Sequence, residues 1–283
     1  VHYNLQLYNL AWFLPCSNII SSMSNHYILS LLSLCLSLTF APTLHAEDTE
    51  HSHPSVSAWQ ITPHLGYTIG GMTPVPLPAE IREIQRFHPT DGLSWGFDFS
   101  RKVSSQWRAA VGIHYFDRGM RTEARVKAYQ VKVVQAGNTL EGYFSGVNHT
   151  RASQQGFAFP LQAEWQPLAR CTFFTGPVVE WYFDRSFTGS VTDGYLRVDQ
   201  PTGRKVEFGA SPEEAPTYDF SNDMARWGFG WQVGADWQVS GRWSVFLQAR
   251  YIFTNLFQPG FTTVSMKLHP MFVTTGLAYR VHW

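Results

Sequence analysis

The sequence predicts an all-β fold, a single eight-stranded antiparallel transmembrane β-barrel with short periplasmic turns and long extracellular loops. Three observations predict this architecture. Eight segments alternate apolar and polar residues, the connections between them alternate in length, and the tryptophans fall into two bands along the segments. Alternation with a period of two places one face of a strand in an apolar medium and the other face in a polar one.

The alternating segments have the length that membrane strands need. Most of them span about 9 to 13 residues, which lets a tilted strand cross roughly 25 Å of hydrocarbon. The segments cover residues 59–69, 93–103, 107–115, 157–165, 173–183, 225–237, 243–253 and 272–283.

The connections indicate how the strands are arranged. Those after the second, fourth and sixth segments are short, whereas residues 70–92, 117–152 and 185–223 form long connections. Short turns at one end and long loops at the other are typical of outer-membrane barrels with both termini in the periplasm. Residues 123–133 also alternate, and two interpretations remain open for them: an extension of the third strand above the membrane, or a separate hairpin.

The positions of the tryptophans are an independent indication of the fold. Amphipathic aromatic rings lie at the headgroup level of a membrane, and a soluble β-sandwich would not sort them into two end bands. The band near the long connections contains Tyr67, Trp95, Tyr115, Trp181, Trp227 and Phe253. At the rim with the short turns we expect a periplasmic aromatic girdle of Trp59, Trp107, Trp165, Trp237 and Trp243, completed by Trp283.

The composition is also typical of a membrane barrel. Aromatic residues make up 16% of the 283 residues and charged residues 15%, the latter below the roughly 25% of soluble domains. No apolar run reaches the ~20 residues of a membrane-spanning helix. The formal net charge of +0 gives no indication of nucleic acid as a partner.

The C-terminal residues 274–283 alternate and end on an aromatic residue. This ending resembles the C-terminal assembly signal of Gram-negative outer-membrane barrels. The resemblance implies that the barrel-assembly machinery is a partner during biogenesis. The signal positions are Thr274, Gly276, Tyr279, Val281 and Trp283.

The N-terminal region predicts export. Residues 1–22 precede Met23, and we expect them to be an upstream mis-start that is not part of the protein. Residues 23–46 contain a short apolar run followed by small residues, which predicts a signal peptide cleaved after Ala46. Residues 47–57 form a predicted periplasmic lead-in, and residues 58–283 form the predicted outer-membrane β-barrel.

The strand face opposite the lipid carries charged residues of both signs in similar numbers. The interior of an eight-stranded barrel is just wide enough to be filled by side chains, and buried charges must pair because an isolated one costs several kcal/mol. A packed salt-bridge lumen is therefore favoured over a proton or ion path. The predicted lumen charge network consists of Asp98, Arg108, Glu164, Glu180, Asp184, Arg226, Asp236, Arg250 and Arg280.

The sequence predicts no catalytic, metal or cofactor site, and we expect a protein that is not an enzyme. His64 and His114 face inward, and the predicted lipid face has no Ser–His arrangement of the kind that outer-membrane lipid hydrolases need. The connection after the third strand is basic, and it either contacts lipopolysaccharide phosphates or is a solvated face. Its charged residues are Arg118, Arg121, Arg125, Lys127 and Lys132, against Glu123 and Glu141.

Residues 70–82, 143–148 and 187–197 carry a resemblance to a known family. Through them, residues 58–283 resemble the PorT-like outer-membrane β-barrel family, whose namesake takes part in protein export by the type-nine secretion route. The resemblance implies an integral protein of the Gram-negative outer membrane with a structural, envelope or secretion accessory role through its loops. Implied partners are outer-membrane lipid, lipopolysaccharide, and envelope or secretion proteins. A small porin-like pore or passive transporter is the alternative, and a lipid-modifying enzyme is the second alternative.

Overall fold

The computed structural model of the chain describes residues 59–135, 138–209, 215–264 and 266–282. The predicted mis-start, signal peptide and lead-in lie outside the described residues, as does Trp283 of the predicted girdle. All described residues belong to the same compact unit. Among them, no helix is long and apolar enough to cross a membrane.

The described residues form eleven β-strands and one short 3₁₀ helix, Ser221–Asp223. The strands are β1 (Trp59–Pro74), β2 (Ile81–Lys102), β3 (Trp107–Gln135), β4 (Asn138–Leu168), β5 (Cys171–Val198), β6 (Lys205–Phe208), β7 (Thr217–Asp219), β8 (Trp227–Ser240), β9 (Trp243–Ile252), β10 (Leu268–Tyr279) and β11 (Val281–His282).

Eight of these strands close into an antiparallel ring, which confirms the predicted eight-stranded barrel. Neighbours in the ring follow the order β1–β2–β3–β4–β5–β8–β9–β10. The ring closes because β10 pairs with β1 from His64↔Ala278 to Pro74↔Leu268, and β11 continues the seam at Gln60↔His282. A closed ring has no free strand edge, which is the condition for a sheet in lipid.

The side chains of the ring follow the alternation of the sequence. On β8, Trp227, Phe229 and Trp231 are exposed on the outer face, while Gly228 and Gln232 are buried inside. The same alternation recurs on β2 and β9. An exposed apolar surface that encircles the ring is suited to lipid rather than to water.

The structure corrects the predicted strand ends on the side of the long connections. Most of residues 70–92 and 117–152 is strand, because β1 reaches Pro74, β2 begins at Ile81, and β3 and β4 form one long hairpin. Residues 123–133 therefore extend the third strand. Register shifts explain the difference from the prediction, because each irregularity, as between Asp91 and Ser94 or between Val126 and Tyr129, interrupts the period of two.

The extended strands form a folded structure beyond the aromatic rows. We call this part the crown (the described residues within 70–90, 119–153, 186–224 and 254–268). There β7 pairs with β5 over Thr188–Ser190 and with β3 at Val134↔Thr217, while β6 pairs with β5. The crown encloses an apolar core that includes Val131, Val133, Phe144, Val191, Leu196, Phe208, Phe220, Met224 and Phe257.

Candidate functional site

The C-terminal segment lies at the seam where the ring closes. Gly276 of β10 pairs with Gly66 of β1, and Thr274 shares a hydrogen bond with Thr68, with 2.9 Å between the two Oγ1 atoms. The glycine pair allows the backbones to approach, since a side chain at Gly276 would meet the Leu65 carbonyl oxygen. The remaining described positions of the predicted assembly signal, on β10 and β11, are Tyr279 and Val281.

The described residues of the predicted girdle lie on the outer face at the end with the short turns. Trp107 of β3 pairs with Trp165 of β4, and the two rings stack with their centroids 6.1 Å apart. The Trp165 ring also contacts Phe173 at 6.0 Å, and Trp243 packs against Tyr279 at 5.0 Å. The tryptophans exposed on this rim are Trp59, Trp107, Trp165, Trp237 and Trp243.

A second aromatic row crosses the outer face towards the crown. Ring centroids are 5.5 Å apart for Trp95 and Tyr115, 5.9 Å for Tyr115 and Phe157, and 6.5 Å for Phe157 and Trp181. On β3 the two rows are separated by the stretch from Trp107 to Tyr115. This corresponds to about 20 Å along the barrel axis for a strand that rises ~3.3 Å per residue at a tilt of ~40°. The two rows thus bound an apolar band close in height to the ~25 Å of hydrocarbon that the strands of an outer-membrane barrel cross.

The centre of the lumen is occupied by a buried ion cluster around Glu180. Arg118 donates to both carboxylate oxygens of Glu180, at 3.1 Å from Nη1 to Oε1 and 2.6 Å from Nη2 to Oε2. Arg250 donates from Nη1 to Oε1 at 3.0 Å, and the Tyr182 hydroxyl donates to Oε2 at 2.7 Å. Glu180 is 0% exposed, so these charge-assisted bonds are shielded from water and hold the cluster in one geometry.

Arg118 also joins this cluster to apolar groups on the crown side. Its guanidinium carbon lies 4.2 Å from the centroid of the Phe116 ring and 4.1 Å from that of the Phe272 ring. Phe272 belongs to the apolar core that continues into the crown. The lumen is therefore filled by an ion cluster and, next to it, by packed apolar side chains.

Two histidines and an aspartate lie next to the ion cluster. The His114 Nε2 and Asp98 Oδ1 atoms are 2.8 Å apart, and His64 Nδ1 lies 3.4 Å from Asp98 Oδ2. Gly96 pairs with both histidines across the sheet, which leaves room for the two rings to meet at 4.3 Å between centroids. Their donor atoms lie within 4.8 Å of one another and could hold a metal ion. However, Arg250 Nη2 lies 3.3 Å from His114 Nδ1, and the positive charge of its guanidinium disfavours a metal ion at this position.

The lumen near the short turns holds a second group of ion pairs. Arg280 contacts Asp236, whose carboxylate also accepts a hydrogen bond of 2.7 Å from Ser244. Arg108 Nε lies 3.8 Å from Glu164 Oε2. A polar cavity of about 60 Å³ lies among these side chains.

The structure brings most of the predicted lumen charges together but excludes two. Asp184 is exposed and pairs with Gln155 next to a register shift, so its side chain leaves the lumen. Arg226 is exposed immediately before β8 and joins no ion pair among the described residues. Arg118, assigned from the sequence to a basic loop, is 2% exposed inside the barrel. Arg118 lies four residues after the inward-facing His114 on the same strand, and a period of two continued along β3 predicts its inward side chain.

A basic cleft opens on the outer side of the crown, where β2, β3, β4 and β5 lie side by side. It encloses about 390 Å³. Glu123 is its acidic residue, and Arg86 Nε and His149 Nδ1 lie 3.6 Å and 3.8 Å from the Glu123 carboxylate. The cleft is lined by Arg86, His88, Arg121, Thr122, Glu123, His149, Thr150, Arg151, Gly189 and Ser190.

Comparison with known proteins agrees with the barrel architecture. A family model described as "Outer membrane protein beta-barrel domain" matches residues 46–258. No curated protein sequence matches the chain.

Several solved outer-membrane proteins are similar at low sequence identity. Ail of Yersinia pestis, solved with the heparin analogue sucrose octasulfate, is 7% identical over 79% of this chain and 99% of its own, with a TM-score of 0.35. OprG of Pseudomonas aeruginosa is 9% identical over 81% and 98%, with a TM-score of 0.30. AlkL, solved in lipid bilayers, is 11% identical over 84% and 98%, with a TM-score of 0.33.

Proposed function

The chain belongs to the outer membrane protein β-barrel domain family, and we propose that it is a closed, non-enzymatic outer-membrane barrel that carries the crown as its working surface. In this proposal the short-turn end and both termini face the periplasm, and the crown projects outside the cell. The role is structural in the envelope or accessory to protein secretion, as the PorT-like resemblance implies. The partners are outer-membrane lipid, lipopolysaccharide, envelope or secretion proteins and, during biogenesis, the barrel-assembly machinery.

The observation that carries the proposal is the filled lumen. The Glu180 carboxylate is held by Arg118 and Arg250 at the centre of the barrel, and apolar side chains cover this cluster on the crown side. Opening a path would require separating buried ion pairs, which costs several kcal/mol. A barrel filled in this way is suited to anchoring rather than to conduction.

The crown supports the second half of the proposal. Its strands pair with one another and enclose an apolar core, so it presents a rigid surface rather than a set of independent loops. Binding surfaces that are already ordered lose less conformational entropy when a partner docks. We therefore assign contact with envelope or secretion proteins to the crown.

A deletion strain complemented with a trimmed variant tests this role. The variant replaces residues 125–147, the tip of the β3–β4 hairpin, with an Asn-Gly turn that joins two paired strands. We expect the trimmed barrel to insert, as judged by heat-modifiable mobility, but not to restore envelope integrity or secretion. Full restoration by the trimmed barrel would contradict the proposal.

The alternative that the protein is a lipid-modifying enzyme is tested by a different measurement, the lipid A composition of the outer membrane. A lipid-modifying enzyme would change the lipid A species of the outer membrane. We expect the lipid A mass profile of the deletion strain to equal that of the parent. A modified species that disappears on deletion and returns on complementation would favour the enzyme instead.

A further inference from the structure

Neither the filled lumen nor the crown core explains the basic cleft. We propose that this cleft binds phosphate groups on the saccharide of outer-leaflet lipopolysaccharide. The inference rests on the proposed function, because it takes the crown to lie outside the membrane.

The strand register assembles the cleft from two rows of side chains on the outer face of the crown. Directly paired residues on β2, β3, β4 and β5 form each row. The row nearer the membrane is His88–Arg121–Arg151–Thr188. The next row is Arg86–Glu123–His149–Ser190.

The charges of the cleft are not balanced. Three arginines against one glutamate leave a net charge of +2 when both histidines are neutral. The single carboxylate already contacts Arg86 and His149. An incoming anion would therefore meet the two remaining arginines, Arg121 and Arg151, rather than the Glu123 carboxylate.

Arg121 and Arg151 are directly opposite each other on β3 and β4. Like charges at directly opposed positions destabilise a sheet. Within the part of the chain that the structure describes, neither guanidinium has an ion-pair or side-chain hydrogen-bond partner. A doubly charged anion between them would remove this repulsion, which gives the pair a reason to be adjacent.

The chemistry of the lining suits a phosphate attached to a sugar. A guanidinium presents a planar fork of donors that matches two phosphate oxygens. The Ser190 side chain lies in the row next to the arginines, and its hydroxyl can bind a sugar hydroxyl. The cavity of about 390 Å³ lies within the roughly 300–1,000 Å³ of pockets that hold small organic ligands.

The position of the cleft selects lipopolysaccharide as the occupant. Arg121 follows Tyr115 of the aromatic row on the same outer face of β3. At ~3.3 Å per residue and a tilt of ~40°, this places the cleft about 15 Å beyond the aromatic row. Aromatic rows lie at the headgroup level, so the cleft faces sideways into the layer that lipid-linked saccharides occupy.

Labelled rough-type lipopolysaccharide, titrated with the full chain in zwitterionic detergent and followed by fluorescence anisotropy, tests the proposal. We expect the double variant Arg121→Gln/Arg151→Gln to bind about tenfold more weakly or worse, because charge-assisted bonds to phosphate are among the strongest hydrogen bonds. Wild-type protein should lose affinity equally when the lipopolysaccharide has been dephosphorylated.

A matched control removes the same charge elsewhere on β3. Lys127 and Lys132 are exposed on the crown and outside the cleft, so Lys127→Gln/Lys132→Gln should change the affinity less than about twofold, as solvent-exposed charges contribute little. Equal affinity of the arginine variant and the wild type would overturn the proposal. An equal loss in the lysine variant would also overturn it, since the binding would then be general electrostatic attraction.

Two further measurements distinguish a failure of the proposed lipopolysaccharide site from a failure of the proposed orientation. Saccharide released from the same lipopolysaccharide should bind more weakly than the intact lipid; equal binding would contradict a membrane source. Lys132→Cys should react with a membrane-impermeant maleimide on intact cells. Absence of labelling would contradict the orientation in the proposed function, whereas labelling without an effect of the arginine variant would contradict only the lipopolysaccharide site.

Discussion

Arg118 of β3 and Glu180 of β5 form a two-point ion pair inside the barrel, with 2.6 Å between Nη2 and Oε2 and 3.1 Å between Nη1 and Oε1. Their side chains are 2% and 0% exposed. Arg250 contacts the same carboxylate, so one acidic group balances two guanidinium groups in a space without bulk water. Much of the rigidity of the lumen therefore depends on one carboxylate.

Replacing that carboxylate should strongly destabilise the barrel. We expect Glu180→Gln to lower the free energy of unfolding by about 3–5 kcal/mol, because it leaves two buried cations without their counter-ion. Urea unfolding in lipid vesicles measures the change. Asp184→Asn, at an exposed position four residues further along β5, should stay within about 0.5 kcal/mol of the wild type. Similar effects of the two variants would contradict the buried cluster.

Two exposed valines on β3 test where the lipid begins and ends. Val111 is 53% exposed between the two aromatic rows, and Val134 is 46% exposed on the crown. We expect Val111→Arg to cost about 2–4 kcal/mol of stability, the penalty for a charge at the bilayer midplane. Val134→Arg should change the stability by less than about 0.5 kcal/mol. Equal losses of stability for the two variants in lipid vesicles would contradict the prediction that Val111 faces lipid and Val134 faces water.

The crown should lose stability in alkaline solution. Burial raises the pKa of Tyr218 to about 12, although hydrogen bonds with Thr150 and Asn148 lower it. An unfolded tyrosine releases its proton near pH 10. As the pH rises from about 10 towards 12, the unfolded state therefore binds fewer protons and the folded crown becomes less stable.

Tyr218→Phe isolates this effect. The variant loses the hydroxyl's hydrogen bonds with Thr150 and Asn148 and about 1–2 kcal/mol near neutral pH, but its crown should be less sensitive to alkali. Part of the pH dependence should remain in the variant, because burial also raises the pKa of Tyr129. The rate at which a protease cleaves the crown, measured at about pH 9 and about pH 11, reports how steeply the stability of the crown falls with pH in the variant and in the wild type. If the stability of the crown falls as steeply with pH in the variant as in the wild type, the loss in alkali does not come from Tyr218.

The C-terminal aromatic residue should be needed for insertion. Trp283→Ser is expected to reduce the amount of heat-modifiable, membrane-embedded protein, because it removes the final aromatic of the predicted assembly signal. Val239→Ser changes an exposed apolar residue near the end of β8 and serves as the control. Equal levels of embedded protein for the two variants would count against a special role of Trp283.

The sequence predicts the membrane-spanning part of the barrel well, because lipid imposes a strict period of two. The inward positions of His114 and Glu180 and the outward positions of Trp107 and Trp165 follow from that period. Pairing across strands does not follow from it. Arg118 and Glu180 are 62 residues apart, so their contact depends on a register that the pattern does not specify.

The crown was harder to predict for a different physical reason. Outside the lipid an apolar core, rather than the membrane, selects which side chains face inward, and irregular pairing is tolerated. At the border between the membrane-spanning strands and the crown, the shift between Gln155 and Gly156 turns Asp184 outward, against the prediction that it belongs to the lumen. The row that joins Arg121 to Arg151 likewise depends on the β3–β4 register.

A planar-bilayer recording of the full chain tests the central claim, the closed lumen, most directly. A general porin inserted under the same conditions serves as the positive control, and heat-modifiable mobility confirms that the chain is folded. We predict no stable conductance steps, because Arg118, Glu180 and Arg250 fill the lumen together with the apolar side chains beside them. Reproducible single-channel steps from the folded wild-type protein would contradict the account and favour the pore alternative.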